Sequence, residues 1–291
     1  MAGNNMRDIK RRIKSISSMQ HITNAMKLVS SAKLRRAKSI FEKTQENFHY
    51  VREAIEEVFH NVEDVPAHYL RGGRQIKTTA YIVITSGRGL AGSFNSNVIR
   101  FTEEEIARFP DEDQPKIIAI GSKGRDYFAK KGYPIIAEYS LPPEDITFTE
   151  THEISQPIIE MYDRGEIDAI VMIYNTFVSS LEQRVNRVVL LPSEVISEPH
   201  THRYKKYVEY EPSVEEVFNY LVPKYVEIMI YSAVVESATC EHAARRMAME
   251  NATDNAKEMI EDLTLTYNRM RQSAITNEIS EIVRGAEALR E

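Results

Sequence analysis

The residues best placed to do chemistry are Gly87-Arg88-Gly89-Leu90-Ala91-Gly92, which match the G-x-G-x-x-G pattern of a dinucleotide-binding turn. They follow a β-rich run and precede a helical one, the context in which such a turn cradles a pyrophosphate. That chemistry also needs a carboxylate at the end of the second strand, to hold the ribose hydroxyl. The run there ends Ile120-Gly121-Ser122-Lys123, with no acid. A tight strand-to-helix turn that needs backbone room is therefore the preferred reading, and an enzyme using Gly87, Gly89 and Gly92 for a nucleotide is the alternative. No G-x-x-x-x-G-K-[ST], H-E-x-x-H or G-x-S-x-G occurs. Thr151-His152-Glu153 is not a zinc motif, and Glu103, Glu104 and Glu105 read as a solvated helix face. His200 and His202 read as loop residues, since two histidines make a weak metal signal. The single cysteine, Cys240, excludes an internal disulfide and any cysteine-cluster metal site.

Composition places the chain among ordinary globular proteins, with 42% hydrophobic and 27% charged residues. No apolar run reaches the ~18 residues of a membrane span, and the first residues lack the apolar core of a secretory signal. The expected location is the cytosol or the inner face of a membrane. The net charge of −6 is unevenly spread. Arg7, Lys10, Arg11, Arg12, Lys14, Lys27, Lys33, Arg35, Arg36 and Lys38 stand against Asp8 alone in the segment they span. Such asymmetry implies an anionic partner for the N-terminal region. Nucleic acid is disfavoured because no aromatic residue for base stacking precedes Phe41, and acidic protein surfaces are preferred to anionic lipid.

The elements that must position these residues fall into three parts. From residue 6 to residue 60 there is neither proline nor glycine. Ile9, Ile13, Ile16, Leu34, Ala37, Phe41, Phe48, Val51, Ile55 and Val58 keep one 3–4 register, the seam of a coiled coil. Midway the seam positions are polar (Gln20, Thr23, Lys27, Ser30), and Met19, Ile22, Met26 and Val29 lie one position away. This helix turns a second stripe outward there, toward another partner. At ~1.5 Å per residue it is roughly 80 Å long. A short helix over 214–221 ends at Pro223, and a second long helix of roughly 100 Å follows. Its seam runs Tyr225, Ile228, Val235, Met249, Ala256, Ile260, Leu263, Tyr267 and Met270, then slips to Ile275, Ile279, Ile282, Ala286 and Leu289. A small domain about 30 Å across cannot bury such a helix along its whole length, so part of it must project.

Between the helices, β-rich runs at 80–85, 116–120, 134–137, 169–176 and 184–191 alternate with helical stretches near 94–108, 122–131 and 151–164. This order predicts a Rossmann-like α/β domain with a largely parallel sheet, its last two strands forming an antiparallel hairpin. The expected organisation is a helix over 1–60, the α/β domain over 77–192, a linker and short helix over 193–222, and a coiled-coil helix over 223–291.

Two segments carry a family resemblance. Ile9-Lys10-Arg11-Arg12-Ile13 continues through Ile22-Thr23-Asn24-Ala25-Met26-Lys27-Leu28-Val29-Ser30-Ser31-Ala32-Lys33-Leu34-Arg35-Arg36-Ala37. Near the other end stands Arg271-Gln272-Ser273-Ala274-Ile275-Thr276-Asn277-Glu278-Ile279-Ser280-Glu281-Ile282-Val283-Arg284-Gly285-Ala286. Both resemble the termini of the gamma subunit of F-type ATP synthase. The turn from Ser86 to Gly92 and Ala252-Thr253-Asp254-Asn255-Ala256 are similar to further parts of that family. Ser93 and Phe94 depart from its pattern, where a second glycine and a leucine are expected.

The resemblance implies a rotor without catalytic, cofactor or metal sites of its own. In it the terminal helices form a long antiparallel two-helix coiled coil inside a hexamer of alpha and beta subunits. The α/β domain meets the epsilon subunit and the membrane c-ring, on the cytoplasmic face of the cell membrane. Proton flow turns the ring, and the shaft drives the beta subunits through their cycle. By motif, Met26 and Lys27 are expected near acidic loops of the beta subunits. Arg245 and Gln272 are expected in a catch with the hexamer, and Thr276 and Glu281 on the C-terminal tip. The rival reading is an unrelated coiled-coil tether with an α/β head.

Overall fold

The computed structural model describes residues 2–61, 69, 76–109, 115–139, 143–192, 211 and 213–288. Most of the expected 193–222 linker, including His200 and His202, lies outside them. The described elements are α1 (Ala2–Asn61), β1 (Thr79–Ile84), α2 (Phe94–Ala107), β2 (Lys116–Ile120), α3 (Ser122–Lys131), β3 (Ile135–Tyr139), α4 (Phe148–Asp163), β4 (Ala169–Phe177), β5 (Gln183–Leu191) and α5 (Val214–Ala288). The chain forms two compact units: a central unit, Ser31–Arg245, and a two-helix unit, Met1–Ser30 with Arg246–Glu291.

In the central unit the sheet order is β3-β2-β1-β4-β5. β1, β2, β3 and β4 pair in parallel and β5 runs antiparallel to β4, as the alternation of strand and helix predicts. Alternation along β1 sorts its side chains into two cores. Ala80, Ile82 and Ile84 face Ile154 and Ile158 of α4 and Phe218, Val226 and Ile230 of α5. Tyr81 and Val83 face Val98 of α2 and Phe128 of α3. β1 is buried along its whole length, which is why it reads as a continuous apolar run. In this unit α1 contributes Leu34, Phe41 and Ile55, and the Phe41 ring meets Phe177 edge-on at 6.1 Å.

The helix over 214–221 does not stop at Pro223: α5 passes through that proline without a break. A proline inside a helix costs about 3 kcal/mol and leaves one carbonyl unbonded. That carbonyl belongs to Asn219, an exposed residue that water reaches. Val222, Tyr225 and Val226 are buried alongside and offset the penalty. α4 solves the same problem with a partner, because the Glu153 carbonyl freed by Pro157 accepts the Tyr139 hydroxyl at 3.5 Å.

The two-helix unit pairs the start of α1 with the end of α5. Thr253 Oγ1 donates to Thr23 Oγ1 at 2.8 Å, and Lys27 Nζ lies 4.0 Å from Glu250 Oε1. A step up one helix thus matches a step down the other, so the pairing is antiparallel. Carried on at that register, the first residues of α1 are level with Ala274.

Candidate functional site

In a sheet of this order, ligands bind at the carboxyl ends of β1 and β4, where successive connections depart to opposite faces. Here α5 occupies that crevice. Cys240 is fully buried against Ala91 and Phe94, and its thiol donates to the Asn175 carbonyl at 3.4 Å. Burial pushes the Cys240 thiol up, away from thiolate chemistry. Glu236 accepts the Phe177 amide at 2.9 Å, and burial raises its carboxyl as well. The glycine-rich turn presents carbonyls to donors of its own chain. Gly87 O accepts from Ser122 Oγ at 3.0 Å, and Gly89 O accepts from Arg245 Nη2 at 3.3 Å. A phosphate cradle needs the opposite arrangement, with free backbone N–H groups pointing outward.

The glycines expected to supply backbone room are not the ones that do. A Cβ at Gly87 or Gly89 would meet nothing within 4 Å. Gly92 is needed for its φ of 58°, and non-glycine Leu90 shares the left-handed region at 64°. Gly121 stands where a dinucleotide fold would carry its acid. It has φ 92°, and an added Cβ would lie 2.1 Å from the Thr85 carbonyl oxygen.

The predicted coupling residues fall in two groups. Arg245 is in the central unit, its side chain 11% exposed, with Nη2 2.6 Å from Glu241 Oε1. The others lie in the two-helix unit. Met26 is half-buried, and Lys27 faces Glu250. Gln272, Thr276 and Glu281 are exposed on α5, where Thr276 Oγ1 donates to the Gln272 carbonyl at 3.0 Å. The expected outward stripe on α1 is present. Thr23 and Ser30 take buried seam positions, while Met19, Ile22 and Val29 are 57%, 60% and 58% exposed. Past Met270 the described positions of the slipped seam, Ile275, Ile279 and Ile282, are exposed, as is Val283 beside them.

Sequence reasoning missed Glu144 and His242. The Glu144 carboxylate lies between Lys33 Nζ, 2.5 Å from Oε1, and His242 Nε2, 2.5 Å from Oε2. The bond to His242 and the nearby Lys33 ammonium hold its carboxyl down at about 2, against the opposing effect of burial. A lowered carboxyl stabilises the fold at pH above its ordinary value of 4.5, and that contribution disappears as pH falls toward about 2. Glu144→Gln is therefore expected to be less stable than the parent at neutral pH. The gap should close over the same acid range, as read from urea midpoints at a series of pH values.

A Rossmann-like unit whose ligand crevice is filled by the chain's own terminal helix, together with an antiparallel helix pair ending in an uncovered apolar tip, defines a scaffold class. The family model described as ATP synthase matches residues 5–289. The ATP synthase gamma chain of Alkaliphilus metalliredigens is 44% identical over 296 positions, spanning 99% of this chain and 100% of that one. A gamma chain of Acetobacterium woodii, described as sodium ion specific, is 40% identical over 302 positions, spanning 98% and 99%. The fold matches a chain of the Euglena gracilis mitochondrial ATP synthase with a TM-score of 0.75 at 19% identity, over 99% of this chain and 95% of that one. The chain belongs to the ATP synthase gamma-chain family.

Proposed function

We propose that the chain is the central rotor shaft of an F-type ATP synthase, non-catalytic itself, transmitting rotation between a membrane c-ring and a hexamer of alpha and beta subunits. The observation that carries this reading is the tip of α5. Ile275, Ile279, Ile282 and Val283 are exposed together on α5, and a row of large apolar side chains turned to solvent marks a contact with another protein. Within the complex, Gln272, Thr276 and Glu281 share that end of α5 and meet the hexamer. Met26, in the outward stripe of α1, and Lys27, one position from it in the seam, meet the acidic loops of the beta subunits. Arg245, which also donates to the Gly89 carbonyl, joins Gln272 in a catch with the hexamer. The α/β unit takes the epsilon subunit and the c-ring, and the chain is peripheral to the cytoplasmic face of the membrane. Among the described residues no helix is long and apolar enough to cross it. The proton is the proposed coupling ion, although its selection belongs to the membrane ring.

Mixing the chain with its cognate alpha, beta and epsilon subunits tests the assignment. Co-elution at one copy per three alpha–beta pairs is expected. A chain that elutes alone, under conditions where a relative's gamma chain assembles, would return it to the tether class.

A further inference from the structure

The contacts of Lys33, Glu144 and His242 and those of Glu241 and Arg245 share one level of the central unit. This unit takes in α1 from Ser31 onward and α5 as far as Arg245. Lys33 is therefore on its first turn of α1, and Glu241, His242 and Arg245 are on its last turn of α5. Between Lys33 and His242 stands Glu144, in the 3-10 turn Pro143–Asp145 that leads into α4. On the adjoining face of α5, Arg245 joins Glu241 to the Gly89 carbonyl. The contacts run from α1 through the turn to α5 and on to the β1–α2 connection.

Apolar packing is incomplete at this level. A cavity of about 320 Å³ opens between α1, the 3-10 turn and α5, with Arg36, Ile40, Phe148, Tyr231 and Val235 among its walls. Elsewhere in the unit α1 is held by Leu34, Phe41 and Ile55 and by the Phe48 ring against Phe148 and Tyr231; these contacts fix which face is buried but, being non-directional, resist a small rotation about the helix axis only weakly. Hydrogen-bonded ion pairs do not tolerate it, because donor and acceptor must stay aligned. The His242 side chain is 3% exposed, and its buried Nδ1 has no partner among the described residues. Turning the ring away from Glu144 would therefore leave both nitrogens unsatisfied.

We propose that Lys33, Glu144 and His242, with Glu241, Arg245 and the Gly89 carbonyl, form a charged collar that fixes the rotational setting of α1 and α5 in the central unit, so that torque on this unit reaches both helices without slip. Glu144 is its keystone, a positioning residue that touches no nucleotide or ion. The collar rests on the rotor reading and deepens it.

The test uses the full complex in liposomes and reads ions transported per ATP hydrolysed. Glu144→Ala is expected to lower that ratio at least about threefold, with ATP hydrolysis within about twofold of the parent. Lys33→Met, at a half-exposed position, is expected to lower it in the same direction by less. Exchanging the charges in K33E/E144K is expected to recover part of the ratio. The collar is overturned if both single variants keep the parent ratio, or if hydrolysis and transport fall together. Should the Glu144→Ala complex not assemble, Lys33→Met decides by the same two outcomes. A parent complex that hydrolyses ATP without transporting ions would overturn the rotor reading instead.

Discussion

Gly121→Ala is expected to destabilise the central unit by about 3 kcal/mol or more, enough to unfold a marginal domain. The new Cβ would stand 2.1 Å from the Thr85 carbonyl oxygen, a backbone atom that cannot swing aside, at a φ of 92°. Moving the backbone would also break its own bonds, since Gly121 N donates to Tyr139 O and the Thr85 hydroxyl accepts from Gly124 N at 2.8 Å. Gly132→Ala is the matched control. Its φ is 83°, but a Cβ there meets nothing within 4 Å, so the expected loss is only about 1 kcal/mol. Urea unfolding followed by tyrosine fluorescence suits the chain, which has 15 tyrosines and no tryptophan. Equal midpoints for the two variants would remove the close approach as the reason for this glycine.

The second large effect is expected at the tip of α5. Changing Ile275, Ile279 and Ile282 together to aspartate alters side chains that are exposed among the described residues. The urea midpoint of the full chain should therefore stay within about 0.5 kcal/mol of the parent, as is usual for surface substitutions. Assembly is another matter. Three carboxylates forced into an apolar seat would each carry a burial penalty of several kcal/mol. Association with the alpha–beta hexamer, or the ATP synthesis rate of whatever assembles, should fall by orders of magnitude. A complex that forms and works normally would mean that the exposed isoleucines face water in the working state.

Much of this architecture was legible in the sequence, because periodicity reports which face of an element is buried. The seam positions Leu34, Phe41 and Ile55 on α1, and Met249 and Ala256 on α5, are all buried as that periodicity requires. Periodicity does not report what an apolar face meets. Nothing in the seam of α5 distinguishes Tyr225, packed with the sheet core, from Ala256 in the two-helix unit. The start of α4 is also written in the sequence: Thr147, four residues before the expected helix, forms a reciprocal capping box with Glu150. Pro223 misled because proline carries a strong helix-breaking preference that tertiary burial overrides. The contact of Glu144 with Lys33 and His242 could not have been found, since it joins residues 111 apart in the chain without any spacing signal.

The most direct test of the rotor assignment is to watch it turn. Cys240 is the single cysteine and is buried, so Leu181→Cys, at a position 71% exposed in the β4–β5 turn, takes a probe selectively. With the alpha–beta hexamer fixed to a surface and ATP supplied, the probe is predicted to rotate in one direction, at a speed that rises with ATP concentration. A hexamer that hydrolyses ATP at an undiminished rate while the labelled chain stays bound and still would contradict the account.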